Sequence, residues 1–426
     1  MGGTSRRWRR GHGVSLLRNP ESAQQATYVE LFFDLVMVFA LNRLVASAVA
    51  GMADPGLDAS DVGRRWTTLG RTLLLFVPLL WAWTMTAYIT ARLDPRTPRA
   101  QWAILSTGFA LLIMGANAPH VFDGGGALAF ALAYVVSQVS WFLVFAYLLG
   151  THPLARVYWR VALWFVVSGP LWILGALVPG RWQLSLWILA VVVELGAARL
   201  GWPAPGLRHG RSSAWAVAPH HLADRYTQLV LIALGETILA VGITYASGPG
   251  RAGGYQTVGL VVSFVTAVLL WRIYFQRAGL VLGEAVAEAR DPAALGRFVS
   301  FAHAVMILGI VITAIGHELI QLHALGRTYP AWLAVILGGP AFYLVGRAAL
   351  ERAVFSRVSP RRWVGIGVLL VTGLPLINAP PLAAGITAAF VLFGIAMIDT
   401  RRAANRPLEA PHPASTRANW SWWRRR

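Results

Sequence analysis

The sequence predicts an all-α, polytopic membrane bundle of about twelve transmembrane helices, and three observations carry that prediction. Of its 426 residues, 56% are hydrophobic and 13% are charged, against roughly 25% charged residues in soluble domains. Apolar runs long enough for a bilayer, which needs about 20 residues per helix, recur from one end of the chain to the other. The basic residues, all of them arginine, sit in the gaps between these runs. That placement makes them topology signals and candidate contacts for anionic lipid headgroups. A net charge of +19 would suit nucleic acid, but a basic patch needs a folded soluble surface to lie on, so no nucleic-acid partner is expected. The chain has no cysteine, which excludes disulfides, thiolate metal sites and a cysteine nucleophile.

Residues 1–26 read as a polar tail rich in arginine (Arg6, Arg7, Arg9, Arg10, Arg18). A cleaved signal peptide is the competing reading, with Ala46, Ala48 and Ala50 near a cut site. Glu30, Asp34 and Arg43 inside the supposed apolar core argue against it. The spans are expected at 28–50, 69–90, 101–118, 127–149, 158–178, 182–200, 227–247, 256–276, 298–321, 331–350, 362–378 and 382–398. The last two are short and separated only by Asn378-Ala379-Pro380-Pro381. Pro78, Gly169-Pro170 and Gly338-Gly339-Pro340 mark helix breaks of the kind transporters use, or ordinary kinks. Trp66, Trp102, Trp159, Trp182, Trp332 and Trp363 fall near span ends and read as interface anchors.

Arginine also sets the expected orientation. With the N-terminus inside, the cytoplasmic connections hold Arg92, Arg96 and Arg99, then Arg156, then Arg208 and Arg211, then Arg290. The last of them holds Arg347, Arg352, Arg357, Arg361 and Arg362. The opposite loops are poorer: Asp54, Asp58 and Asp61 accompany Arg64 and Arg65, while Arg181, Arg251 and Arg327 stand singly. Arg401 and Arg402 keep the C-terminus inside, so both termini are expected in the cytoplasm.

The chain also carries a faint internal repeat. Glu30 with Leu35-Val36 and Ala40-Leu41 echoes Asp224 with Leu229-Val230 and Ala233-Leu234. Leu79-Leu80-Trp81 echoes Leu269-Leu270-Trp271, and Gly115-Ala116-Asn117 echoes Gly316-His317-Glu318. The shared offset predicts a six-plus-six parallel tandem repeat. The expected division is a tail at 1–26, a first repeat at 27–200, a connection at 201–226, a second repeat at 227–400 and a tail at 401–426.

Chemistry is expected at the polar residues inside the spans. Glu30 and Asp34 share one face of the first span about 6 Å apart along the axis, where two like charges repel unless a proton or cation intervenes. The plainer reading is a helix start whose acids complement the dipole. Asn42 is a further polar intrusion, as are Asn117 and Glu194. Arg43 either pairs with another helix or extends its head to the interface. In the seventh span His221, Asp224 and Arg225 precede Glu236, eleven residues beyond Arg225 and on the same face. A carboxylate at mid-membrane costs several kcal/mol unless it is paired, protonated or wetted, so Glu236 is expected to face the bundle interior. Gly235 beside it would admit a second backbone. His220 and Asp224 have metal-ligand spacing, but nothing supplies a third ligand, and neither a metal nor a cofactor is expected. In the ninth span, which holds His303 near its inner end, His317 beside Glu318 toward the outer end suits a proton relay, or an interfacial pair. Nucleophile-elbow, phosphate-loop and dinucleotide signatures are absent.

ELFFDLVMVFAL in the first span and HLADRYTQLVLIALGETIL in the seventh resemble the bacterial low-temperature-requirement A family, over about residues 25 to 400. Glu30, Phe32, Phe33, Asp34, His221, Arg225, Tyr226, Gly235 and Glu236 stand as the family has them, and Trp81, Trp83, Tyr88 and Asp94 also resemble it. Asp224 replaces the family's usual glutamate, and an asparagine usual near the end of the second span is missing. The resemblance implies a multi-span bacterial membrane protein, with a family name taken from cold growth and no established activity. Phe32-Phe33-Asp34 is also distantly similar to the opening of a potassium and proton channel family with six-plus-six spans.

The leading expectation is a transporter or channel-like protein of the bacterial inner membrane. Its polar path for a small ion or solute would run between the first, seventh and ninth spans, and an oligomer is compatible with this. An intramembrane enzyme on lipid or lipid-linked substrate, with His221 and Asp224 at the interface, is the alternative. A scaffold or sensor of bilayer state, with the charges in a static network, is the third.

Overall fold

The computed structural model describes residues 16–18, 25–54, 56, 61–123, 125–205, 218–247, 253–404, 407 and 409–413. Arg6, Arg7, Arg9, Arg10, Asp58, Arg208, Arg211 and Arg251 lie outside the described residues. Helices stand at all twelve expected positions: α1 Tyr28–Met52, α2 Val62–Thr90, α3 Pro98–Asn117, α4 Gly126–Leu149, α5 Pro153–Leu177, α6 Arg181–Arg199, α7 Pro219–Ala246 and α8 Gly254–Tyr274, then, after a short α9 Leu282–Glu288 that the sequence reading lacks, α10 Pro292–Leu322, α11 Pro330–Phe355, α12 Pro360–Leu376 and α13 Pro381–Ala403. Eleven of them are long and apolar enough to cross a membrane. The exception is α12, at 17 residues. Among the described residues the β-structure is confined to isolated bridge positions, Leu17 with Leu93 and, beyond α6, Ala204.

Proline sets many of the starts. Seven helices begin on it (α3, α5, α7 and α10 to α13), where its missing N–H is an orphan in any case and its fixed φ suits the first turn. The helices run on through Pro78, Pro170 and Pro340, so these prolines do not break their spans. Apolar side chains also face outward, as in a protein solvated by lipid: Leu31, Phe32 and Leu35 on α1, and Leu370, Val371 and Leu374 on α12, are all exposed. Trp66, Trp102, Trp159, Trp182 and Trp363 are exposed as interface anchors would be, but Trp332 is buried and donates to the Met52 carbonyl at 3.1 Å.

The chain forms two compact units, residues 1–43 with 73–222 and residues 44–72 with 223–426, and the divisions fall inside α1, α2 and α7. In the first unit, α3 lies close on α1: a Cβ at Gly115 would come within 2.8 Å of the Ala40 Cα. In the second, α10 and α11 meet backbone to backbone. Cβ atoms at Gly309 and Gly316 would fall 2.4 Å from Tyr343 N and 2.9 Å from Ile336 Cα. This is the small-residue packing by which membrane helices associate. Gly235 has no such neighbour: nothing lies within 4 Å of its would-be Cβ, and it is exposed. The close approach expected there occurs on α10 and α11 instead.

Several arginines assigned to topology do structural work in the second unit. Arg362 lies between Glu351 (2.8 Å) and Asp399 (2.6 Å), Arg361 also pairs with Asp399, and Arg347 reaches Glu351 at 3.3 Å. Arg347 additionally donates to the carbonyls of Ile273 and Gln276 at the end of α8. Arg160 of the first unit does the same beyond α6, on the carbonyls of Trp202 and Gly201. In each case a buried guanidinium donates to backbone carbonyls at or just beyond a helix end.

Candidate functional site

In the first unit the site begins at the N-terminus of α1. Thr27 caps the helix and Glu30 stands three residues on. The Thr27 N–H and hydroxyl both donate to Glu30 Oε2 at 2.9 Å, and the Glu30 N–H donates to the Thr27 carbonyl at 3.0 Å; this is the glutamate half of a capping box, with the threonine hydroxyl donating instead of accepting. That leaves Oε1, which lies 3.0 Å from His221 Nε2 at the start of α7, with both side chains fully buried. Glu30 therefore meets Thr27 at the start of its own helix with one oxygen and His221 with the other. Thr90, at the end of α2, reaches the same His221 nitrogen at 3.5 Å.

One turn deeper, Asp34 Oδ1 accepts from the indole of Trp83 on α2 at 2.9 Å, and both residues are buried. The two acids thus share a face, as their spacing requires, but each has its own partner. Just outside the spans, residues 16–18 pair antiparallel with 92–94. This brings Arg18 into the field of Glu30 and Asp94: burial lowers the pKa of its guanidinium and the two acids oppose the shift. Burial also lowers Arg92, whose Nη1 donates to the Tyr88 carbonyl at 2.9 Å.

The second unit holds the rest of the seventh-span motif. Arg225, fully buried, donates to Gln228 Oε1 at 3.1 Å, and the Gln228 amide donates to Asp224 at 3.2 Å. Glu236 is fully buried as well, as expected of a residue sharing the Arg225 face. Tyr226 donates to Ser300 (2.6 Å) and stacks on His303, ring centroids 4.5 Å apart. His303 Nδ1 lies 2.8 Å from the Val299 carbonyl, which can only accept, so Nδ1 carries the hydrogen and Nε2 accepts from Tyr274 at 3.0 Å. His303 was noted in the sequence only for its position. Its partners are aromatic residues whose spacing gives no pattern.

His317 and Glu318 do not form a pair. Neighbours on a helix point about 100° apart, and Glu318 Oε1 accepts from Thr244 at 2.8 Å while Nδ1 of the buried His317 has no hydrogen-bond partner among the described residues. Arg43 and Asn42 are half-buried.

The first unit also has an acid that sequence reasoning ranked low. Glu194 on α6 is buried with three donors on its carboxylate: Tyr134 (2.5 Å), Ser168 (2.7 Å) and the Trp172 indole (2.9 Å). These come from α4 and α5. Among the described residues no cation pairs with it.

Residues 25–397 match the family described as Bacterial low temperature requirement A protein (LtrA). A protein of Rhizobium meliloti (strain 1021), itself described as uncharacterized, is 31% identical over 353 residues, which is 82% of this chain and 82% of that relative. No solved structure matches.

Proposed function

We propose that this chain, which belongs to the bacterial low temperature requirement A family, is a transporter or channel-like protein of the bacterial cytoplasmic membrane. Its polar path uses Glu30, Asp34, Asn42 and Arg43 of α1, His221, Asp224, Arg225 and Glu236 of α7, and His317 and Glu318 of α10. Both termini lie in the cytoplasm, and the arginine-rich connections contact anionic lipid. Two six-helix repeats, 27–200 and 227–400, build the bundle.

The observation that carries this reading is the buried Glu30–His221 contact. Ionisable groups are expensive at membrane depth, and where a protein keeps them they commonly serve ion or proton movement. An imidazole against a carboxylate places two proton-exchanging groups in contact, a capacity that a purely structural contact does not need. The cap on Glu30 uses the other oxygen, so it does not explain the contact with His221.

The test is flux in proteoliposomes: an imposed ion or solute gradient should dissipate only in vesicles containing the protein. Intact gradients across a broad panel, together with turnover of a labelled lipid, would replace the transporter reading with the intramembrane enzyme. Reporter fusions that place either terminus outside would overturn the orientation.

A further inference from the structure

The first unit has a small, partly open cavity of about 10 Å³ between α2, α3 and α4. It is lined by Thr86, Thr107, Ser137 and Gln138 among apolar groups that include Phe142. On this measure about 10–15 Å³ holds one water. Gln138 is 2% exposed, and its Oε1 has no hydrogen-bond partner among the described residues.

The polarity of the lining follows from where its hydrogens go. Thr86, Thr107 and Ser137 each donate to a carbonyl of their own helix, those of Ala82 (2.9 Å), Ala103 (2.8 Å) and Tyr134 (2.8 Å). Trp141 donates to Ser106 at 2.6 Å, and the Gln138 amide nitrogen faces the Ser137 oxygen at 3.4 Å. Exchanging the Gln138 oxygen and nitrogen would set two acceptors against each other, since the Ser137 hydrogen is already engaged, so the orientation with Oε1 unpartnered is the consistent one. Four oxygens are therefore left with lone pairs to offer. The lining contains no carboxylate to offset a positive charge.

We propose that this cavity is a binding site for a single water molecule, which donates one hydrogen to Gln138 Oε1 and the other to a hydroxyl oxygen of Thr86, Thr107 or Ser137. A buried water typically makes about three hydrogen bonds to groups that would otherwise go without, and here it satisfies a buried amide oxygen. The site lies one turn of α4 from Tyr134, whose hydroxyl donates to Glu194. It hydrates the interior of the unit independently of whether the chain transports anything.

Hydroxyl-radical footprinting by X-ray radiolysis on the full chain in nanodiscs tests this, because radicals formed from a bound water oxidise the side chains around it even when these are buried. Phe142 (4% exposed) lines the cavity, while Phe130 (0%) on the same helix does not. Phe142 should oxidise severalfold faster than Phe130, and the excess should vanish in Gln138→Leu. Thr107→Val, which keeps the shape and removes one oxygen, should reduce the excess and serves if Gln138→Leu fails to fold. Oxidation of Phe142 no faster than Phe130 would show a dry cavity. An excess unchanged in the folded variants would show that the water is not held there, and either result overturns the proposal.

Discussion

Glu30 Oε1 lies 3.0 Å from His221 Nε2 across 191 residues of sequence, while Glu30 Oε2 caps the helix on which it stands. The two oxygens can therefore be separated by mutation. Glutamine serves in a capping box as glutamate does, so Glu30→Gln should insert and unfold close to the wild type. Glu30→Ala removes the acceptor of two hydrogen bonds from Thr27, at about 0.5–1.5 kcal/mol each, and leaves His221 without its carboxylate. Thermal unfolding in detergent should place Glu30→Ala clearly below both other proteins; equal midpoints would show that the cap contributes nothing.

Glu194 offers a second graded test. Glu194→Gln can keep its oxygen toward Ser168 and Trp172 and disturbs mainly the bond from Tyr134, for a cost of about 0.5–1.5 kcal/mol. Glu194→Leu leaves three buried donors without an acceptor, each costing about 1–3 kcal/mol. Denaturant unfolding should rank wild type, Gln and Leu in that order by increasing gaps. A leucine variant as stable as the wild type would show that the three donors find other partners.

The Glu351–Arg362–Asp399 cluster should respond as buried ion networks do. Arg362→Leu leaves Glu351 its Arg347 and Asp399 its Arg361, so it should cost less than the roughly 3–5 kcal/mol of an uncompensated buried charge, whereas replacing all three residues by apolar ones strands Arg347 and Arg361 and should cost more. Unfolding of the single and triple variants compares them directly; a triple variant more stable than the single would show that Arg347 and Arg361 are satisfied without the acids.

His323 lies just beyond α10 and stacks on Trp332, with centroids 5.1 Å apart. Burial lowers its pKa below the ordinary imidazole value. A depressed folded pKa means that the unfolded chain binds the proton more readily, so this contribution to stability is full above about pH 6.5 and declines as pH falls below it. Difference fluorescence between wild type and His323→Asn should show a titration with its midpoint below about 6.5. A midpoint above that value would reverse the sign.

The sequence made the helices legible because hydrophobic length is a local property, and proline fixed many of their starts. Only α9 escaped, being seven residues long and not apolar enough to stand out. Glu30, His221 and Glu236 were found because an acid or a histidine in an apolar run is itself conspicuous. Glu194 was undervalued because its donors lie 22, 26 and 60 residues away on two other helices, and no spacing rule connects them. Arg347 and Arg362 were read as topology charges because they stand near span ends, where the same residue type serves both lipid headgroups and helix carbonyls. His317 and Glu318 misled through adjacency, which on a helix sends side chains apart.

The central claim is that the buried ionisable residues carry a path, and proton or cation flux into proteoliposomes tests it most directly. Wild type and Glu30→Gln are compared at equal incorporation, since the glutamine keeps the cap while it changes what faces His221 and removes the charge near Arg18. Glu236→Gln is assayed beside them, as it keeps the shape and removes the charge. We predict that wild-type vesicles dissipate an imposed gradient and that both variants, folded and inserted, fail to do so. Dissipation by the two variants at the wild-type rate would contradict the claim and leave these residues as scaffolding.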